Sequence, residues 1–558
     1  MKINLKIDTE SKWKEISVEP GISLLQIAKE YADPEGLPIL AVKVNHVPVD
    51  LQQSVTEECC VEFLDIRDQG ARLIYEHSLI MAYLKAVEMV LGRTHVEVRN
   101  ALGKGVYTEI AEEESISDEQ LQAVKDCMCR LVAEDMAFKK ITMSREKGLQ
   151  VLQDAGLYEK KRWIAAQPDL QVLHMYELDG FVNFFYSLML PSTGYLYDFD
   201  LRKYRKGILL MYSQQNSLRS EPEFFDDRKL YATFQEARKW QVMQDIYFVG
   251  DLNYKIREGE AVDMILLSEA LQQKRIVEIT KQIVESGKRV VLITGPSSSG
   301  KTTFARKLCI QLRVEGVEPL YMGTDDYFVN REDTPLDENG EPNYEDLEAV
   351  DIDMFNSHIN RLLKGDEVDL PIFDFLEGRK VFGKRKTKIT KHQPMVIEGI
   401  HALNDKLTPS IDDGEKFRIY ISPLTPLGID AHNRISVTDA RMLRRMVRDY
   451  NYRGHSAEET IREWPKVRRG ENKNVFPYNG KADVFFNSGH LYEIGLLKKY
   501  AEPLLEAISS DAPEYGEAIR MLQFLRFFNT IEDDGLVPND SIIREFIGGS
   551  VFVKQSLQ

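Results

Sequence analysis

Cysteine is scarce: the 558 residues hold five, Cys59, Cys60, Cys127, Cys129 and Cys309. An odd, sparse set without framework spacing excludes a secreted disulfide scaffold. Cys127 and Cys129 stand too close together for a zinc knuckle, and no His or Cys pair follows at finger spacing. Positive charge is also in deficit. Lys and Arg number 72 against 89 Asp and Glu, a formal net charge of -17. Such a chain is a poor coat for nucleic acid, because non-specific binding depends on neutralising phosphates. Any anion it binds must meet a local basic site. No apolar run approaches the ~20 residues of a membrane span. The opening Met1–Lys14 alternates apolar and polar residues and lacks an apolar signal core. Repeats and low-complexity linkers are missing as well. The expectation is a soluble, cytoplasmic protein. The chain is 43% hydrophobic and 29% charged, enough to bury cores in three or four domains.

Residues 1–66 read as a small α/β unit. Ile3, Leu5 and Ile7 alternate, as do Ile16 and Val18, and Ser23 can cap a short helix. Leu40–Val44 and Val61–Leu64 complete a β-grasp pattern around a turn at Asn45-His46. Residues 67–262 are mixed α+β. Leu79–Leu91 and Leu121–Met136 read as helices, separated by the acidic segment Glu109–Gln120. From 263 to 505 the pattern is α/β. A helix over Leu267–Glu285 precedes the apolar strand Val290–Ile293. Further strands follow at Leu320–Met322, Met395–Ile397, Ile419–Ile421 and Val484–Phe486. Strands alternating with helices predict a parallel sheet covered on both faces. Residues 506–558 read as a helical tail.

Gly295, Pro296, Ser297, Ser298, Ser299, Gly300, Lys301 and Thr302 fit GxxxxGK[ST] in full, after a strand and opening a helix, with Thr303 next. Backbone N–H groups at such a helix start form an anion nest. Lys301 would reach the β- and γ-phosphates, and Thr302 would ligate Mg²⁺. Glu398 ends an apolar strand, the expected place for a second acid on the Mg²⁺ side. Asp325, after another strand, lies at the same carboxyl edge of the sheet and can accept a proton from an attacking hydroxyl. Residues 441–470 carry nine Lys and Arg against four Asp and Glu. Arg441, Arg444, Arg445 and Arg448 recur at helical spacing, with Arg453 and a hinge glycine at 454. This suits a lid closing on phosphates. The basic run Arg379–Lys391 reads as a hairpin.

Taken in order, Gly295–Thr303, Thr324–Phe328, Pro371–Phe375, Val396–Ile400 and Arg444–Gly454 resemble the uridine kinase/phosphoribulokinase family of P-loop kinases, over about 285–505. The resemblance implies Mg²⁺-dependent transfer of a γ-phosphoryl from ATP or GTP to a nucleoside 5′-hydroxyl. Asp325 is then the general base, and Glu398 with Thr302 holds Mg²⁺. Arg445 sits near the acceptor, Arg448 and Arg453 clamp the donor phosphates, and Glu345 stands where the family has an Asp on the ribose hydroxyls. The chain departs from that pattern at Phe373, where uridine–cytidine kinases have a tyrosine, and at Gly378, where they have a base-contacting histidine. Discrimination among bases should therefore be weak.

Residues 1–66 resemble a TGS domain, and about 67–240 the second additional, editing domain of threonyl-tRNA synthetase. That domain binds zinc through HxxxH and Cys-x-x-x-His. Here the matching positions are His77, Met81, Phe185 and Met189, which cannot form a closed zinc site. The appendage is expected to be catalytically inactive. Two other readings stay open: a phosphoribulokinase-like acceptor, and a tRNA-binding or regulatory NTPase. Against a GTPase, Asn472-Lys-Asn-Val475 lacks the guanine-reading Asp, and Asp337-Glu-Asn-Gly340 has no strand before it. Nucleoside and NTP are the expected small-molecule partners, RNA is not expected, and a homo-oligomer is.

Overall fold

The computed structural model describes the chain except residues 9–10, 34–35, 111–115, 168–169, 214–221, 338–339, 376 and 553–558. Part of the acidic segment 109–120 and the centre of 337–340 therefore lie outside the described residues.

At the N-terminus five strands form one sheet, in the order Lys14–Ser17, Lys2–Lys6, Cys60–Leu64, Ala41–Val44, Val47–Val49. The first and last long strands run parallel, with Leu5 beside Val61. The helix Leu24–Tyr31 starts at Ser23, whose side chain accepts from Gln26 N while Gln26 reaches back to the cap backbone. Ile3, Leu5, Leu24, Ile27, Val61 and Phe63 fill the space between sheet and helix.

Residues 67–212 are built round the helix Gln69–Leu91, capped by Asp68. It is buried on nearly all sides because the helix Asp118–Ala133 and two sheets cover it. One has the strands Lys139–Ser144, Val172–Leu178 and Phe181–Asn183. The other has Val96–Leu102, Gly105–Ile110, Phe199–Tyr204 and Gly207–Tyr212.

The C-terminal half carries a five-stranded parallel sheet in the order Leu320–Gly323, Met395–Glu398, Val290–Thr294, Lys416–Ser422, Val484–Asn487. Period-2 alternation sends neighbouring residues to opposite faces. Val291 and Ile293 pack with Phe304, Leu308, Ile279 and Leu497. Val290 and Leu292 pack with Phe355, Ile359 and Leu362. Both faces are therefore covered. The apolar cluster on the first face runs from Met143 to Ile547. It crosses position 262/263, which lies in the first turn of the helix Ala261–Ser286.

Two expectations need correcting. Arg379–Lys391 is not a hairpin in itself. Arg379–Val381 pairs with Ile372–Asp374, and Lys386–Thr387 with Val368–Asp369, so its partners lie upstream. Among its described residues the C-terminal tail is helical at Tyr515–Leu525 and Arg544–Ile547, apart from one 3₁₀ turn. Asp533, Gly535 and Pro538 between them favour turns over helix.

The halves meet through the loop 428–434. Arg434 donates to both Glu76 oxygens, at 2.7 and 2.8 Å, and Tyr212 adds a third bond at 2.7 Å. Lys160, fully buried, reaches Asn183 at 2.7 Å and Asp430 at 3.2 Å, and Asn183 meets His432 at 2.9 Å. Removing one partner of such a pair leaves a buried charge alone, at a cost of about 3–5 kcal/mol. Glu76→Ala should therefore lower the unfolding temperature markedly, and the double variant Glu76→Leu with Arg434→Met should recover most of the loss. Calorimetry checks both. A single variant that melts like the parent would contradict this role.

Candidate active site

The strand Val290–Thr294 delivers the phosphate loop at the carboxyl edge of the sheet, and the helix Lys301–Val314 leaves it. Ser298 has φ 59° and Gly300 φ 81°, the left-handed path that wraps backbone N–H groups round an anion. The Ser298 and Ser299 hydroxyls are buried with no hydrogen-bond partner among the described residues, which fits a phosphate as their partner. Lys301 Nζ donates to the carbonyl oxygens of Gly295 and Pro296, at 3.0 and 3.1 Å. Burial lowers its pKa, and Glu398 and Asp325 nearby oppose that.

Thr302 Oγ1 donates to Glu398 Oε1 at 3.1 Å, and Tyr321 donates to the same oxygen at 3.0 Å. Burial, then the Asp325 charge, pushes the Glu398 carboxyl up to about 7. One carboxylate and one hydroxyl are a donor set suited to Mg²⁺, which takes few protein oxygens and keeps water and phosphate ligands. Asp325 lies in the turn Thr324–Tyr327 that follows the strand Leu320–Gly323. Burial raises its pKa, while Lys301 and then Arg453 pull it down. Lys301, Thr302, Asp325 and Glu398 thus form one electrostatic cluster.

The arginine helix Val437–Arg453 divides in a way the spacing did not reveal. Arg441 and Arg444 are buried supports, not part of a mobile lid. Arg441 bonds Glu471 and the Ser297 carbonyl; Arg444 bonds Glu493 at 2.6 Å and the Ser488 carbonyl at 2.8 Å. Arg445 donates to Ser297 Oγ at 2.9 Å. Arg445, Arg448 and Arg453 all gather on Asp449, at 3.2, 2.7 and 3.5 Å. These cations hold the Asp449 carboxyl below its usual range despite burial. The crowding acts back on Arg453, whose pKa falls to about 10, chiefly through Arg448. Gly454 ends the helix at φ 68°.

Glu345 is pressed against the helix Ala457–Asn474; burial raises its pKa and Arg445 lowers it. Phe373 is buried among rings, 5.8 Å from Phe328 and 5.1 Å from Phe375. At Gly378, with φ 69°, an added Cβ would overlap the Arg331 side chain. Arg331 N–H also donates to the Gly378 carbonyl at 2.8 Å. A histidine does not fit there without moving Arg331. Sequence reasoning missed Tyr321, Asp449, Glu471 and Glu545 as site residues. Asp449 alone had a signal, as the acid inside the arginine run.

Residues 290–494 match the phosphoribulokinase/uridine kinase family. This region is a domain of that family. The uridine kinase of Leuconostoc citreum is 26% identical over 220 residues, 39% of this chain and 96% of that one. The threonine–tRNA ligase of Syntrophomonas wolfei is 29% identical over 196 residues, 35% of this chain, and the similarity covers the N-terminal region. The chain spans only 30% of that ligase's length. A solved structure described as a possible uridine kinase from Bacillus stearothermophilus aligns with 38% of this chain and 98% of its own, with 20% identity and a TM-score of 0.27.

In the ligase-like region His77 Nδ1 meets Ser187 Oγ at 2.7 Å, and its ring packs on Phe185 and Tyr186. Met81 and Met189 are buried in the same cluster. Burial drops the His77 pKa to about 3. An unfolded chain takes that proton near 6.5, so stability falls as pH drops below 6.5 and goes on falling to about 3. At pH 5 the loss is about 2 kcal/mol. Comparing melting at pH 7.5 and 5, His77→Asn should lose less stability than the parent. Equal losses would contradict a buried neutral imidazole.

Proposed function

We infer that the 290–494 region is a nucleoside kinase: it transfers the γ-phosphoryl of ATP or GTP to a nucleoside 5′-hydroxyl with Mg²⁺ bound. The observation that carries this is the cluster of Lys301, Thr302, Asp325 and Glu398 at one sheet edge beside the phosphate loop. Thr302 and Glu398 would hold the metal, which when bound would supply charge neutralisation at the phosphates. The loop N–H groups and Lys301 bind the β- and γ-phosphates, once Lys301 turns from the Gly295 and Pro296 carbonyls. Asp325 accepts the acceptor hydroxyl's proton. Burial raises its pKa, which makes it a stronger base, and Lys301 and Arg453 oppose that rise. Arg448 and Arg453 turn from Asp449 to the donor phosphates, where charge on the transferring group peaks.

On the acceptor side, Glu345 would take the ribose hydroxyls and Arg445 the region beside them. Phe373 offers a ring face and no hydrogen bond. With Gly378 opposite Arg331, the base edge has little to read it. A phosphoribulokinase-like acceptor remains the second reading of the same machinery. The ligase-like half, with His77 in place of a metal cluster, is a scaffold in this account, and its loop contacts couple it to the kinase region.

The test is a panel of nucleosides plus ribulose 5-phosphate with Mg²⁺-ATP and Mg²⁺-GTP. Purine and pyrimidine nucleosides should both be phosphorylated, with kcat/KM within about 10²-fold of each other, and Lys301→Ala should remove the activity. A preference near 10⁴-fold for uridine or cytidine would mean that other residues read the base. Turnover of ribulose 5-phosphate alone would overturn the acceptor class.

A further inference from the structure

The C-terminal segment returns to the phosphate loop. Glu545, on the turn Arg544–Ile547, accepts from Thr303 N at 3.1 Å and from Thr303 Oγ1 at 2.8 Å. Thr303 lies in the first turn of the loop's helix, among the N–H groups aimed at an anion. The anion on those donors is the protein's own carboxylate. Neighbouring contacts hold it there. Lys307 Nζ donates to the Asp540 carbonyl at 3.2 Å and its carboxylate at 2.9 Å. Ile542 packs so closely on Gly300 that an added Cβ would overlap its Cγ2. Asn451, between Arg448 and Arg453, donates to the Phe546 carbonyl at 3.1 Å. Ile542, Ile543 and Phe546 are themselves core residues.

A second carboxylate touches the loop, and the contrast is informative. Glu471 accepts from Ser297 N at 2.9 Å, but Arg441 and Arg468 neutralise it. Among the described residues no lysine or arginine forms an ion pair with Glu545. Glu471 is therefore a fixed strut. Glu545 has no such ion pair, only Lys301 at electrostatic range, and it faces the donors that cradle the first phosphates of a nucleotide.

Resting on the nucleotide-binding reading above, we propose that Glu545 is a built-in competitor for the nucleotide's phosphates. Its segment is anchored by core residues, so the carboxylate is presented at high effective concentration. A phosphate and Glu545 cannot share the Thr303 donors, and their charges repel. Nucleotide must displace the side chain, and the apparent affinity is the intrinsic one multiplied by the fraction of molecules in which it has already left. Whatever shifts the 534–548 segment then tunes nucleotide affinity without altering the loop.

Titration calorimetry of the full chain with Mg²⁺-ATP and with tripolyphosphate tests this, in wild type, Glu545→Gln, Glu545→Ala and Lys301→Ala. Both Glu545 variants should bind each probe about 10-fold more tightly than wild type, roughly the loss of one charge-assisted contact. Binding by the variants where wild type binds too weakly to measure also supports the proposal. Unchanged or weaker affinity in both variants overturns it and leaves the nucleotide reading intact. Tighter binding of ATP but not of tripolyphosphate overturns it too, because Glu545 would then act on the nucleoside end. No binding by wild type or any variant overturns both. Glu545→Gln keeps the side chain's shape, so a folding defect confined to Glu545→Ala leaves the comparison in place.

Discussion

The phosphate loop depends on buried charge held behind it. Arg441 spans the Ser297 carbonyl and Glu471, and Glu471 accepts the Ser297 N–H. Arg444 braces the Ser298 carbonyl at 3.4 Å and ties the arginine helix to Glu493 at 2.6 Å. Buried ion pairs add little net stability against apolar replacements, but they fix geometry, because breaking one strands a charge. The geometry fixed here is the direction of the loop's N–H groups. With the inward arginines committed to the scaffold, Arg445, Arg448 and Arg453 rest on Asp449, and the proposed function assigns them to phosphates and acceptor.

The same logic joins the halves. The loop 428–434 enters the ligase-like region and meets Glu76, Lys160 and Asn183 close to His77. Nearby, Met81, Phe185 and Met189 pack as core round the His77 ring. The helix Gln69–Leu91 also feeds the contact between the halves, since Gln69 donates to Asp439 on the arginine helix at 2.8 Å.

The parallel sheet and the phosphate loop were legible because their signals are local: short apolar runs, two glycines, and a lysine–threonine pair in one stretch. Asp325 and Glu398 were legible because strand ends share an edge in such a sheet. Glu471, Glu493 and Glu545 were not. Each pairs with a residue far away in sequence, and a glutamate in a polar helix looks solvated until its partner is known. The strands Val96–Leu102 and Gly105–Ile110 escaped because the first buries a polar residue, Asn100, on its inward face and the second is buried at every residue and so shows no alternation. The long helix was seen only from Leu79, since Arg72, Glu76, His77 and Ser78 interrupt the apolar residues of its first turns, and it begins at Gln69. The division of the arginine run into buried supports and residues gathered on Asp449 needed the third dimension: the spacing puts them on one helix, not on one face.

The central claim is that Asp325 takes the proton from an attacking hydroxyl beside a Lys301–Mg²⁺ phosphate site. Single-turnover transfer from γ-labelled ATP, measured alongside ATP binding, tests it most directly in Asp325→Asn. The account predicts that nucleotide affinity stays within a few-fold of the parent, while transfer slows by about 10²–10⁴-fold. Transfer at the parent's rate would contradict it.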